Sequence, residues 1–289
     1  MKIADKFDRK HTVVSFEVFP PKKESSIDSI YATIERLKGL QPDFISVTYG
    51  AGGIGVANPL TVQICSRIQN EYGIDAVAHL TCLNNSKADI DGLLGKLKEN
   101  HISNILALRG DRNPDIEPKN DFHFASELTS YILAKDEGFH VSGACYPEVH
   151  PEAADMVEDI TNLKKKVDAG AEHLVSQLFF DNHTFYDYVE KVRIAGIKVP
   201  IEAGIMPVTN KSQIERMVAQ CGAGIPARLS KLLQRFGDDP VAMQDAGIAY
   251  ATEQIMDLIA DGVDGVHIYT MNKAEIAEKI VSNIQSMIR

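Results

Sequence analysis

The 289-residue sequence is short of cysteine and of positive charge, and it contains no long apolar run. Each shortage excludes something. The four cysteines, Cys65, Cys82, Cys145 and Cys221, form no CxxC pair. Their spacing speaks against a zinc ribbon and a disulfide-held scaffold, and they read as reduced packing thiols, with no metal expected. Lys and Arg number 30 against 40 Asp and Glu, a net charge of −10. A sequence-independent nucleic-acid binder needs a basic field, so no nucleic-acid partner is expected. No apolar stretch approaches the ~20 residues of a membrane span. The opening MKIADKFDRKHTVV lacks a signal-type apolar core, so the reading is cytoplasmic, with no membrane partner. A GxxxxGK[ST] phosphate loop is also missing. What is present is 44% hydrophobic and 24% charged residues, the balance of a globular enzyme rather than a disordered chain.

Hydrophobic period alternates along the chain. Short β-rich runs occur at 12–19, 43–50, 76–82, 104–111, 140–148, 173–180, 200–208 and 263–270. Amphipathic stretches follow them. Ile27, Ile30, Tyr31, Ile34 and Leu37 recur at helical spacing. Further helices are predicted near 60–72, 86–98, 124–136, 154–169 and 183–194, between 210 and 260, and at 273–287. Strict alternation means parallel strands joined by right-handed crossovers. About eight units favour a closed (β/α)8 TIM barrel as one domain over residues 1–289. Residues 220–243 read as an extra helical insertion before the last strand, and the polar, proline-bearing stretch after Asp111 as a loop.

In such a barrel chemistry sits at the C-terminal ends of the strands. Polar residues predicted there are Glu17, Thr48, His79, Asp111, Tyr146, Gln177 and Tyr269. Glu17 stands out, being flanked by Phe16, Val18 and Phe19. A carboxylate in an apolar strand costs several kcal/mol unless paired or protonated. Burial favours the protonated form of a carboxyl, which suits a general acid. The plainer alternative pairs it with a buried Lys or Arg. In LRGD, Gly110 permits close backbone approach, while Asp111 reads either as a helix cap or as a fixed charge facing the site. Tyr146 and His150 flank a Pro-Glu turn. Asp159, Asn162 and Lys166 form one helical stripe, which periodicity alone assigns to solvent. Gln177 needs partners for both ends of its amide, from a ligand or from neighbouring backbone.

Taken in order, SFEVFPPK, SVTYGAGG, HLTC, LALRGD, CYPEVHPEA, NLKKKVDAGA, SQLFFD, GIMPVTN and HIYTMNKAE resemble one family, methylenetetrahydrofolate reductase of the bacterial single-domain flavoprotein type. The resemblance covers nearly the whole chain. It implies a TIM barrel holding FAD at its C-terminal face. By the resemblance, Glu17 matches the general acid and Asp111 an aspartate near flavin and pterin. Gln177 matches a pterin-contacting glutamine, and Gln213, Tyr269 and Lys273 lie where folate or nicotinamide is contacted. The implied FAD set is Thr48, His79, Leu108, Arg109, Gly110, Asp111, Ala125, Tyr146, His150, Asp159, Asn162, Lys165 and Lys166. This reverses the solvent assignment of the Asp159 stripe. The implied reaction passes hydride from NADH or NADPH to the flavin and then to 5,10-methylenetetrahydrofolate, yielding 5-methyltetrahydrofolate. Three positions depart from the common pattern. Lys165 and Lys273 replace arginines, and Met217 replaces a phenylalanine. These departures leave room for a partner subunit as electron donor. The family also implies a homo-oligomer, a tetramer in bacterial members. The rival readings are a flavin-free pterin or one-carbon methyltransferase barrel, a non-catalytic flavin- or folate-binding subunit, and a lysine Schiff-base aldolase. No candidate strand offers the lysine that the last requires.

Overall fold

Eight short runs of mostly apolar residues pair edge to edge in chain order, and the eighth returns to the first. The computed structural model describes residues 1–7, 11–21, 27–49, 59–112 and 117–288. Strands β1 (Val13–Val18), β2 (Phe44–Val47), β3 (Asp75–Thr81), β4 (Asn104–Leu108), β5 (His140–Cys145), β6 (His173–Ser176), β7 (Ile201–Ile205) and β8 (Gly265–Tyr269) form a closed parallel barrel. Ser15 is in register with Phe44 on one side and His267 on the other. Side chains alternate across a strand, so Ser15 and Glu17 share the inward face of β1, as His267 and Tyr269 do on β8.

The crossovers are α1 (Ile27–Lys38), α2 (Pro59–Ser66), α3 (Lys87–Glu99), α4 (Ala125–Lys135), α5 (Met156–Asp168) and α6 (Asn182–Ile194). Their starts are written in the sequence. Ser86 and Asp89 make a reciprocal capping box on α3, while Asp155 and Asp181 cap α5 and α6. The stretch predicted as one helix near 60–72 divides into α2 and a π-helical segment, Arg67–Glu71. Between β7 and β8 lie three helices, α7 (Lys211–Cys221), α8 (Ala227–Phe236) and α9 (Pro240–Ala260), before the final α10 (Ala274–Ile284). The inserted material is therefore α7 and α8. The predicted window of 220–243 cuts across both breaks, at Gly222–Pro226 and at Gly237–Pro240, where Gly and Pro stop and restart the helix. Helix α9 completes the outer ring, lying against α6, α10 and β7.

The main core lies between the barrel and its helices. A second cluster, built on Leu178, Phe180, Met206, Ile214, Leu229 and Leu233, seats α7 and α8 beside the C-terminal ends of β6–β8, with Met217 and Tyr269 against it. Inside the barrel, Val13, Phe44, Val77 and Leu106 meet Ile3 and Phe7. The latter two come from the N-terminal 3-10 turn Ile3–Lys6, which stoppers the opposite end. Lys6 and the N-terminal ammonium both bind Asp75, at 2.7 and 2.8 Å. These contacts fill the end of the barrel at which the strands begin. Cys65, Cys82 and Cys145 are buried free thiols, as packing groups should be, and burial pushes Cys82 and Cys145 up to about 12. No helix among the described residues is long and apolar enough to cross a membrane.

Glycine use separates tight from open positions. A Cβ on Gly247 in α9 would lie 1.8 Å from the Val208 carbonyl oxygen, whereas Gly92 and Gly95 on the outer face of α3 meet nothing within 4 Å. Gly247→Ala is expected to cost roughly 1–3 kcal/mol or more by forcing two backbones apart. Gly92→Ala and Gly95→Ala should each stabilise by about 0.5–1 kcal/mol. Thermal unfolding of the variants checks both signs.

Candidate functional site

Glu17 sits near the C-terminal end of β1, its side chain 20% exposed and turned into the barrel mouth. The strand end is pinned from β8. Thr270 Oγ1 donates to the Glu17 carbonyl at 2.6 Å. Asn272, in the left-handed region at φ 57°, bonds both the amide and the carbonyl of Phe19, at 3.0 and 2.8 Å. Among the described residues, no Lys or Arg lies within ion-pair distance of the Glu17 carboxyl. It faces two histidines, His79 Nε2 at 3.6 Å and His267 Nε2 at 3.8 Å. Burial pushes His79 down to about 4, against the pull of Glu17, so the ring is neutral at physiological pH.

Among the described residues, Thr48 Oγ1 and His79 Nε2 at this end are buried without a hydrogen-bond partner. Thr48 follows β2 directly. Its amide bonds the Val18 carbonyl at 3.0 Å, and its carbonyl accepts from Thr61 Oγ1 at 2.9 Å. The backbone is held on both sides while the hydroxyl is left over. An orphaned buried hydroxyl costs about 1–3 kcal/mol, a cost a bound ligand removes.

Strand β4 ends at Leu108, three residues before the predicted Asp111. The chain turns at Gly110, φ 86°, which packs on Thr81. The amide of Cys82 lies 3.1 and 3.2 Å from the carbonyls of Leu108 and Arg109. Leaving the ladder lets consecutive residues face the mouth, which strict alternation forbids. Asp111 is exposed and caps no helix among the described residues, α4 starting at Ala125 behind Phe124. Its charge acts on Arg109 and on Tyr146. The Arg109 guanidinium holds Glu152 through both nitrogens, with Nη1 at 2.8 Å from Oε2, and draws that carboxyl down to about 2. Glu152 lies within the CYPEVHPEA motif, yet its pairing with Arg109 crosses between loops and has no local signature.

Tyr146 follows β5 and meets the His150 ring edge to face, centroids 4.6 Å apart. The His150 amide donates to Asp159 Oδ2 at 3.1 Å. Asp159, raised by burial, faces Lys166, which burial lowers. The Lys166 ammonium reaches back to the Ala144 carbonyl. Gly143 makes room for its stem, because a Cβ there would lie 2.5 Å from Lys166 Cδ. The stripe that periodicity assigned to solvent therefore faces the β5 loop. Tertiary packing overrides the pattern because the loop folds back over α5. Lys165 alone stays exposed, bonded to Asn162 Oδ1 at 3.0 Å.

Gln177 lies one residue past β6. Its Oε1 accepts from the Leu178 amide at 2.8 Å, and its own amide bonds the Cys145 carbonyl. Tyr269 ends β8, its hydroxyl donating to the Ser176 carbonyl at 2.7 Å across a gap left by Gly204. Ala125 is buried at the start of α4. Gln213 occupies the first turn of α7, which Asn210 caps, and Lys273 precedes α10. These last two stand on the rim rather than in the Glu17 cluster. The glycine-rich stretch 50–53 and Lys22 of the quoted motifs lie outside the described residues.

Sequence reading missed the layer beneath Glu17, namely Ser15, Ser46, His173, Glu202 and His267. Ser15 and His267 lie two residues before Glu17 and Tyr269. A period-of-two reading from those residues finds them on the same inward faces.

Residues 2–285 match the family described as methylenetetrahydrofolate reductase. Methylenetetrahydrofolate reductase (NADH) 1 of Arabidopsis thaliana is 36% identical over 302 residues, covering 98% of this chain and 51% of that protein. The 5,10-methylenetetrahydrofolate reductase of Escherichia coli K12 is 36% identical over 267 residues, covering 92% and 88%. The chain spans about half the length of the plant and fission-yeast relatives it matches. A Clostridium thermocellum structure, described as binding two copies of 5-methyl-5,6,7,8-tetrahydrofolic acid, shares the fold at a TM-score of 0.64 and 16% identity, with 98% of each chain covered. A barrel with one open end, the ordered motifs around it and a match from residue 2 to residue 285 converge: the chain belongs to the methylenetetrahydrofolate reductase family.

Proposed function

We propose that this chain reduces 5,10-methylenetetrahydrofolate to 5-methyltetrahydrofolate with FAD as its bound cofactor and NADH or NADPH as electron donor. The observation that carries the reading is Glu17, a carboxyl at the barrel mouth set between two histidines rather than against a cation. A carboxylate needed only for stability is better served by Lys or Arg.

The residues present suit a flavin dinucleotide. Thr48 Oγ1 and His79 Nε2 are buried polar atoms in want of partners. Lys166 supplies a cation at the same end, with Asp159 and His150 beside it. Arg109 meets an anionic diphosphate only in exchange for Glu152. FAD, when bound, supplies hydride transfer from the nicotinamide to the folate one-carbon unit.

The protein's share is proton placement and charge. Glu17 in its acid form gives a proton to N10 of the folate, and the five-membered ring opens. The one-carbon unit is left as a 5-iminium cation. Asp111, exposed on the rim, supports that positive charge as it develops. The Gln177 amide nitrogen remains for a pterin edge, since its oxygen is already engaged.

The departures at Lys165, Lys273 and Met217 bear on the electron donor. Anaerobic mixing of the oxidised protein with NADH and then NADPH reads it directly. Bleaching of the flavin supports the nicotinamide donor, and no bleaching by either identifies a partner-fed enzyme.

Glu17→Gln should keep FAD and its reduction while losing folate reduction. Folate turnover within about threefold of wild type would remove Glu17 from the role of acid. Asp111→Asn should raise the midpoint potential of the bound flavin, because reduction adds negative charge, and slow the folate half-reaction about tenfold or more. Spectroelectrochemistry with an unchanged potential would place that charge away from the ring. Thr48→Val removes a buried hydroxyl without changing volume. If the hydroxyl binds FAD, the dissociation constant rises roughly tenfold, a loss of about 1.4 kcal/mol. Fluorescence titration of the stripped protein measures it.

A further inference from the structure

Glu17 occupies the top of a polar column that the reaction above leaves without a task. Ser15, Ser46, Ser142, His173, Glu202 and His267 are each 5% exposed or less. Branched aliphatic side chains usually fill the interior of such barrels. Glu202, with no exposure at all, is costly there unless its oxygens are engaged.

The hydrogen bonds in the column have a direction. Ser15 Oγ donates to Glu202 Oε1 at 2.8 Å and lies 2.6 Å from His267 Nδ1. A hydroxyl has one hydrogen. With that hydrogen on Glu202, Ser15 accepts from His267, so Nδ1 carries the ring proton. Nε2 is then the lone-pair side, and it points toward the mouth. Facing it are Ser46 Oγ at 3.4 Å and Glu17 Oε2 at 3.8 Å.

We propose that His267, held in this tautomer by Ser15 and Glu202, is a positioning base for Glu17, the two sharing a single proton that Glu17 delivers. The inference rests on the reading of Glu17 as the acid. In the transfer the Glu17 O–H bond breaks as the N10–H bond forms, and the bonding pair stays on the carboxylate. Water at the mouth returns a proton to the pair after turnover. The 3.8 Å separation closes by rotation of the carboxyl, as catalytic hydrogen bonds commonly do when substrate arrives.

The polar groups around the His267 ring come from five strands. From β1 come Glu17 and Ser15, from β2 Ser46, from β3 His79, from β7 Glu202, and from β8 itself Tyr269. His79 is neutral at physiological pH and adds no competing cation. His173 stands behind Glu202, 3.1 Å away but out of line for a hydrogen bond, its Nδ1 lying 3.0 Å from Ser142 Oγ.

Ser15 Oγ links the Glu202 carboxyl to Nδ1 of His267, so the relay fixes which ring nitrogen faces Glu17. The proposal is read from the pH dependence of folate reduction, because loss of the relay loosens the hold of the pair on its shared proton. Ser15→Ala cuts the relay and Glu202→Gln removes the charge. The test is single-turnover oxidation of the reduced, FAD-loaded protein by 5,10-methylenetetrahydrofolate between pH 5.5 and 9, with flavin content and visible spectrum as the check on folding. Both variants should move the alkaline fall in rate to lower pH by about one unit, roughly tenfold at fixed pH on that limb. If Glu202→Gln does not fold, Ser15→Ala, which deletes one oxygen, carries the test. Nitrogen-15 NMR of the flavin-free protein, with His267 assigned by its loss in His267→Asn, should show the Nδ1–H tautomer in wild type and the Nε2–H tautomer in Ser15→Ala. Profiles that superimpose on wild type, or an Nε2–H tautomer in wild type, overturn the proposal. A Glu17→Gln protein that still reduces folate overturns the acid reading instead. One that does not, beside an unshifted Ser15→Ala profile, leaves the acid standing and removes the relay.

Discussion

A carboxyl group inside a closed barrel has to find its partners there, because water reaches it from one end only. That constraint organises this protein. Glu17 and Glu202 are two inward carboxyls on strands that both adjoin β8. His267 on β8 stands between them, with Ser15 as the link to Glu202. His79 closes the other flank of Glu17. Any one of these positions, taken alone, is a polar residue in an apolar strand. Together they satisfy one another in part: Glu202 Oε1 is engaged by Ser15, while Glu202 Oε2 and His173 Nε2 below, and Thr48 Oγ1 and His79 Nε2 at the mouth, have no hydrogen-bond partner among the described residues.

The rest of the fold serves that asymmetry. The N-terminal turn packs Ile3, Phe7 and the Lys6–Asp75 pair into the far end. Phe7 stacks on His173 at 4.7 Å and roofs the lower end of the polar column. At the open end the segments that follow β4 and β5 carry Arg109, Asp111, Tyr146 and His150 around the rim. Helices α7 and α8 add an apolar wall on one side through the second cluster, bringing Met217 beside Tyr269. One side of the mouth is thus polar, with charges of both signs, while the other is apolar. A ligand with a charged tail and a flat ring suits such a division.

The strand–helix alternation, the closure into a barrel and the identity of the mouth residues could be read along the chain, because each leaves a local trace. Apolar runs, caps such as Ser86 and Asp155, and the ordered motifs are all contiguous in sequence. Boundaries were less legible. Thr48, Asp111, Tyr146 and Gln177 read as strand ends, yet each lies one to three residues beyond the ladder. Residue type says that a polar group is near the rim but not whether the backbone has already turned. The Asp159 stripe misled for a related reason. Helical period distinguishes two faces of α5, but only the folded β5 loop decides that the polar one is covered.

By itself the sequence determined the barrel, its order, its polar mouth and its family, since these follow from local period and from motifs in register. The tertiary structure alone decided the pairings between distant strands. Ser15 meets Glu202 across 187 positions and His267 across 252, and Arg109 meets Glu152 across 43. No local pattern encodes such contacts. They exist because closing eight strands into a ring brings residues from opposite ends of the chain to the same depth, where exclusion of water obliges each polar group to take another as its partner.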